Sequence, residues 1–401
     1  MSRLRGDHRA PASRDFRAAA IAVAGVANFL NLYTPQSILP DLAHSFAVPA
    51  SGVGLAITAP LLAVALVAPF AGAISDRVGR RVLIVGALFL LTLPTLLIAT
   101  STSLHMLLVW RFLQGLVLPF IFAVAVAYIG DEMPGAAGIR AAGLYSAGCI
   151  LGGFGGRFIA GLVAQWAGWR MGFVAIGGLT FALALFVTVA LRPERNFKPV
   201  SGGLAGTVRS YAAHMRNPRL LATCLIGFGM LFSNVAVYSF VNFYLAASPF
   251  SLGPAQLGGV FVVYLLGIVT TTIASRLAVR VGRITTLGLA LGLAGLGLGL
   301  TLVQHTGAVI AGLAGLSGGL LVVQALCLGV IPALAAQARS SAVGLYVTTY
   351  YIGGALGGFV PALAWQAHGW AGVVALLIPI FAIMFALAAW QWPHQHAGKV
   401  A

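Results

Sequence analysis

Apolar runs of about 20 residues follow one another down this 401-residue chain, separated by short polar, Pro or Gly-Trp breaks. A helix of that length rises about 30 Å, the thickness of a bilayer's hydrocarbon core, so each run reads as a membrane span. Cutting at the breaks places spans near 17–38, 52–74, 82–100, 104–128, 140–164 and 171–191, then 220–246, 255–275, 284–303, 308–331, 341–365 and 371–391. A chain 60% hydrophobic and 7% charged is not a soluble domain, which would have to expose far more apolar surface than water tolerates.

The formal net charge of +16 would point to nucleic acid in a soluble chain. Its distribution points elsewhere. Of the 23 Lys and Arg, all but Arg111, Arg157 and Arg170 fall in segments on one side of the proposed spans. By the positive-inside rule that side, with both termini, is cytoplasmic. The first 16 residues are basic and polar and run into the first span without a small-residue cleavage pattern, so a retained first helix is expected rather than a removed signal peptide. Cys149, Cys224 and Cys327 lie far apart inside apolar runs, which implies neither a disulfide framework nor a metal cluster; no cofactor is expected.

The chain repeats itself at half its length. Gly143-Leu144-Tyr145 returns as Gly344-Leu345-Tyr346, Gly152-Gly153 as Gly353-Gly354, Gln165 as Gln366 and Gly168-Trp169 as Gly369-Trp370. Two pseudo-symmetric six-helix bundles follow, 1–191 and 220–401, joined by a polar linker at 192–219, with a solute path between them. The most polar break, Gly72-Ala-Ile-Ser-Asp76-Arg77-Val-Gly79-Arg80-Arg81, has its own copy in Arg280-Val-Gly-Arg283. Gly72 is expected to allow a close helix approach, Gly79 to turn the chain, and Asp76 to meet an arginine or a helix N-terminus. The copy carries Val279 in place of the acid, so the arginines are explained by topology and Asp76 is not.

These residues carry a resemblance. Gly72-x-x-x-Asp76-Arg77-x-Gly79-Arg80-Arg81 is similar to the loop signature of the major facilitator superfamily, and Arg111-Phe-Leu-Gln114-Gly115 to a second signature common in its proton-coupled members. The resemblance extends over essentially the whole chain and is nearest to the drug:proton antiporter branch, its YnfM-like inner-membrane transporters. It implies an all-α fold of twelve transmembrane helices in two bundles, alternating access, and a hinge at Asp76 that closes the cytoplasmic side in the outward-facing form. One departure is clear. The exporter signature Gly-Pro-x-x-Gly-Gly is replaced by Gly152-Gly153-Phe-Gly155-Gly156-Arg157.

Ionisable residues inside spans are functional candidates because lipid penalises them. Arg157 is read either as snorkelling to the outer interface or as a fixed charge facing the path; Arg111 has the same two readings. For proton coupling the one acid near the outer end of a span is Asp41, on the same side as Arg111 and Arg157, where a paired carboxylate would titrate as the bundles rock; the alternative is a helix-end residue solvated in the outer loop. Substrate contacts are expected from Asn28 and Asn31 on span one, Asn234, Tyr238 and Asn242 on one face of span seven, Tyr346 and Tyr350 on span eleven, and Gln114. The alternative for each is interhelical hydrogen bonding without a ligand.

An enzyme reading rests on Gly315-Leu-Ser317-Gly-Gly319, a nucleophile-like pattern in a glycine-rich run, but no histidine lies deep in a span to act as base. No phosphate-binding Gly-x-x-x-x-Gly-Lys-Ser/Thr motif is present either. The expectation is therefore a monomeric secondary transporter of the bacterial inner membrane, exporting small amphipathic compounds in exchange for protons. Transport of an organic anion held by the intramembrane arginines is the alternative, and a serine protease a distant third.

Overall fold

The computed structural model describes residues 12–133, 135–194, 211–335 and 339–392; most of the 192–219 linker and the basic N-terminal residues 1–11 lie outside them. Every regular element among the described residues is helical: α1 (Ala12–Leu32), a 3-10 turn (Thr34–Ile38), α2 (Leu39–Phe46), α3 (Ala50–Val78), α4 (Arg80–Ile98), α5 (Leu104–Val117), α6 (Pro119–Glu132) and α7 (Ala136–Ala190), then α8 (Pro218–Ala246), α9 (Pro254–Val260), a second 3-10 turn (Phe261–Leu265), α10 (Leu266–Val281), α11 (Arg283–Leu300), α12 (Thr306–Leu334), α13 (Arg339–Phe359) and α14 (Pro361–Gln391).

Prolines explain where the rods break. Pro119 has no N–H to offer Gly115, so α5 and α6 form one rod bent at Leu118. Pro35 does the same to Asn31 and ends α1 in a 3-10 turn. Nine helices among the described residues are long and apolar enough to cross a bilayer. Two of these, α7 and α14, are hairpins: Gly172 lies against the backbone of Ala160, and Gly372 against that of Ala364, separations no straight helix allows. The span count therefore depends on taking each arm separately.

The repeat is visible in the backbone. The turns between α3 and α4 and between α10 and α11 sit on Gly79 (φ 103°) and Gly282 (φ 86°), and the hairpins of α7 and α14 turn at Gly168 (φ 80°) and Gly369 (φ 58°). A Cβ is disfavoured at all four. Packing repeats as well. On α7, Gly148, Gly152 and Gly156 lie flush on the α1 carbonyls of Ala22, Val26 and Leu30, and on α13, Gly353 and Gly357 lie on the α8 carbonyls of Phe228 and Phe232. With little hydrophobic drive between helices in lipid, such backbone-to-backbone approach supplies the dispersion contact. Gly72 is a correction: its side is open, with nothing near a built Cβ, because it lies on an exposed face of α3.

The first and second sets of helices, α1–α7 and α8–α14, meet at the end away from the arginine turns. Thr58 Oγ1 donates to Ala355 O (2.8 Å), Gln366 Nε2 to Ser51 Oγ (3.0 Å) and Gln36 Nε2 to Ser239 Oγ (3.3 Å), while Gly54 abuts Gly358 and Gly161 abuts Pro254. That far end is closed.

Candidate functional site

Two guanidiniums are buried in the apolar interior, Arg111 fully and Arg157 to 1% exposure, and their surroundings differ in kind. Arg111 donates to Ala56 O (2.9 Å), Asn31 O (3.0 Å), Leu32 O (2.5 Å) and Gln114 Oε1 (2.6 Å). Those carbonyls are orphans of the local fold. Asn31 O lost its helical partner to Pro35, Ala56 O lost its own to Pro60 inside α3, and Leu32 O lost its own where Gln36 N turns to Tyr33 O. The arginine also supplies positive charge at a helix C-terminus that has no basic residue of its own. Gln114 continues the network to Thr95 Oγ1 (2.7 Å), which donates to Asn31 Oδ1 (2.7 Å), and Asn31 Nδ2 donates to Thr180 Oγ1 (2.8 Å).

Arg111, Gln114 and Asn31 are thereby tied together within the first set of helices. Arg111 does not meet Asp41: the carboxylate sits part-exposed in the first turn of α2, the helix-end position that was the alternative to a paired one, while the arginine is held by backbone oxygens. Asn28, one turn before Asn31, is fully buried with neither side-chain polar atom bonded.

Arg157 stands where the two sets meet. Its Nε donates to Gln36 Oε1 (2.7 Å) and its Nη1 to Gly153 O (2.5 Å), a carbonyl of its own helix. The rest of its environment is aromatic: the guanidinium carbon lies 4.5 Å from the Tyr33 ring centroid, 4.6 Å from Phe261 and 4.8 Å from Tyr264. No carboxylate pairs with it among the described residues. The snorkelling reading is overturned, because the head group is enclosed by these rings and does not reach an interface. Phe261 and Tyr264 come from the 3-10 turn between α9 and α10, so two of the three ring contacts cross between the sets.

The aromatic surface continues on the second set. Tyr264 Oη donates to Asn234 Oδ1 (2.8 Å), the Tyr238 ring lies 4.7 Å from that of Tyr264, and the Tyr238 hydroxyl bonds Ser317 Oγ. Asn242 instead donates to Tyr238 O on its own helix (2.6 Å). Tyr346 and Tyr350 stack at 5.8 Å, Gln324 Nε2 donates to Tyr350 Oη (3.1 Å), and Tyr351 meets Phe122 of the first set at 5.7 Å. Tyr33, Gln36, Ser239, Phe261, Tyr264, Gln324 and Tyr351 belong to this cluster and were not singled out from the sequence. For Tyr33 and Gln36 the available signal was Pro35, which interrupts an apolar run beside a polar or aromatic residue; Ser239, Gln324 and Tyr351 lie inside unbroken helices and carried no such signal.

At the opposite end Asp76 meets an arginine as expected. Arg80 Nη2 lies 2.9 Å from Asp76 Oδ1, and Arg80 Nε donates to Asp131 Oδ2 (2.6 Å) at the end of α6. Arg81 Nε and Nη2 donate to Leu191 O (2.6 Å) and Thr188 O (2.8 Å), capping the end of α7. Arg77 lies exposed beside them at the end of α3, and Gly79 turns against Glu194.

Residues 21–358 match the profile of the Major Facilitator Superfamily. The chain belongs to that superfamily. Its similarity to named members is of the same extent: 32% identity over 360 residues with the inner membrane transport protein YnfM of Escherichia coli (strain K12), covering 89% of this chain and 86% of that one. It is 30% identical over 377 residues to the uncharacterized MFS-type transporter YybF of Bacillus subtilis (strain 168), covering 92% and 91%. Among solved structures, a bacterial homolog of the human lysosomal transporter Spinster, inward-facing and unoccupied, superposes with a TM-score of 0.73 at 16% identity, covering 96% of this chain and 95% of that one. The human organic anion transporter MFSD10 gives 0.71 at 18%, covering 94% and 100%. At those identities the likeness establishes the fold. As a superfamily member the protein is a multi-pass membrane transporter of small molecules, not an enzyme. Ser317, the nucleophile-like serine, is a partner of Tyr238.

Proposed function

We propose that this transporter carries a small organic anion with a flat apolar body by alternating access, its two moving bodies being 1–191 and 220–401 joined by 192–219. The arginine turns and both termini face the cytoplasm, the protein acts as a monomer in the bacterial inner membrane, and the far-end contacts close the outer side.

One observation carries the reading. Arg157 is a buried charge between the bodies with one amide oxygen, one carbonyl and three ring faces around it, and no carboxylate among the described residues. A buried cation lacking a counter-ion is expensive, and an anion that reaches it supplies what the protein leaves out. Arg111, by contrast, is satisfied by carbonyls the prolines left free, so it orders the first body and leaves Arg157 as the anchor. Tyr33, Tyr264 and Tyr238 then offer faces for the substrate's apolar part, with Asn234, Tyr346 and Tyr350 further along the same wall.

A second reading, proton-coupled efflux of amphipathic drugs, is favoured by the position of Asp41 in the helix that follows Gln36, which is itself bonded to Arg157. Proteoliposomes separate the two. Saturable uptake of an aromatic carboxylate, at least about tenfold lower in Arg157→Gln and unchanged in Asp41→Asn, is the expected result; one lost charge-assisted hydrogen bond accounts for that factor. Transport of neutral or cationic analogues with no flux of anions overturns the anion reading, and proton movement abolished by Asp41→Asn establishes the second.

A further inference from the structure

The two copies of the Arg-Val-Gly-Arg turn have opposite electrostatic surroundings. Around the first, Arg80 bonds Asp76 and Asp131, the Arg81 amide meets Glu194, and Arg17 lies 3.9 Å from Glu132. Around the second no ion pair forms among the described residues, and residues 195–401 contain neither Asp nor Glu, all seven acids of the chain occurring at or before Glu194. Arg276 and Arg280 on α10 are exposed, Arg283 opens α11, and none of the three has an ion-pair partner among the described residues.

These arginines end an apolar stripe. Leu266 (47% exposed), Val269 (56%) and Ile273 (57%) precede Arg276 and Arg280 at spacings of three and four, a single helix face. One other face of the helix is taken: Gly267 and Thr270 abut Leu321 and Gly318 of α12, and the turn that leads into α10 presents Phe261 and Tyr264 to Arg157. From Leu266 to Arg276 the helix rises about 15 Å, one leaflet's share of a hydrocarbon core about 30 Å thick. The cations thus begin where the leaflet's polar layer begins.

We propose that this face of α10 is a binding site for an anionic phospholipid, with its acyl chains along Leu266, Val269 and Ile273 and its phosphate between the Arg276 and Arg280 guanidiniums. Guanidinium forks match phosphate oxygens in pairs, and arginines without internal acids keep their full charge for them. The acids of the first turn do not compete, since Asp76 and Asp131 are bonded to Arg80.

The test titrates the purified full-length protein with phosphatidylglycerol or phosphatidylcholine, reading thermal stability and lipids retained in native mass spectrometry. Phosphatidylglycerol is expected to raise the melting temperature and phosphatidylcholine to leave it unchanged. Arg276→Gln/Arg280→Gln lowers the apparent phosphatidylglycerol affinity about thirtyfold, at about fivefold per arginine near an anionic leaflet, and Arg276→Lys/Arg280→Lys, which keeps the charge without the forks, keeps the preference at an intermediate affinity. Equal stabilisation by both lipids, or a Gln pair with wild-type affinity, overturns the site. Should the Gln pair fail to fold, wild-type phosphatidylglycerol binding that does not weaken as salt is raised overturns it equally.

Discussion

Phe261→Leu is expected to open the far end. The guanidinium of Arg157 lies over Phe261 at 4.6 Å and over Tyr264 at 4.8 Å, and both contacts cross between the two sets of helices; the contact to Tyr33 at 4.5 Å stays within the first. Leucine keeps most of the apolar volume and removes the ring quadrupole. A cation over a ring contributes about 0.5 kcal/mol when exposed and about 2 kcal/mol when desolvated, and this one is buried. Losing it raises the ratio of far-end-open to far-end-closed protein between about twofold and about thirtyfold, the upper value belonging to full desolvation. Spin labels at Thr102→Cys and Gln304→Cys, both exposed in far-end turns of different sets, report that ratio as a distance distribution. Tyr33→Leu removes a ring from the same cation without crossing the interface, so it leaves the distribution in place. An unchanged distribution in Phe261→Leu, or an equal shift in Tyr33→Leu, refutes the latch.

Three other outcomes follow from the packing. Arg111→Leu lowers thermal stability and Pro60→Ala partly restores it, because alanine returns an N–H to Ala56 O; a double-mutant cycle should show coupling of about 0.6 to 1.7 kcal/mol, and strict additivity would mean that the proline does not create the arginine's site. Gly156→Ala, whose Cβ would fall 2.1 Å from Leu30 O, reduces the yield of folded protein, whereas Gly143→Ala, with open space around it, is silent by size-exclusion chromatography. Asp76→Asn impairs transport while changing the melting temperature little, since a half-exposed ion pair contributes about 0 to 1 kcal/mol; transport at the wild-type rate would reduce the hinge to an orientation signal.

The spans, the repeat and the turning glycines were legible because each depends on local chemistry: length of apolar run, a missing Cβ, a proline. Arg111 was visible and its role was not. Pro35 and Pro60 announce unpaired carbonyls in the sequence, but only the crossing of α1, α3 and α5 shows that one guanidinium reaches both, with Asn31 and Gln114 in the interhelical bonds that support it. Arg157 was legible as a buried charge; its partners were not, since Phe261 and Tyr264 lie about a hundred residues away in an apolar run like any other. Asp41 was legible as an acid at a helix end, but whether it pairs was not, because proximity to the same end of the membrane does not place two side chains in contact.

The ring contacts of Arg157 bear on the direction in which solute moves most easily. On the anion reading proposed above, an empty carrier would turn over only by pulling the cation from Phe261 and Tyr264 with nothing to replace them, whereas a loaded one would have the anion's charge in their place. The unloaded return is then the slow limb of the cycle. A carrier of the proposed kind would swap one anion for another across the bilayer faster than it accumulates either.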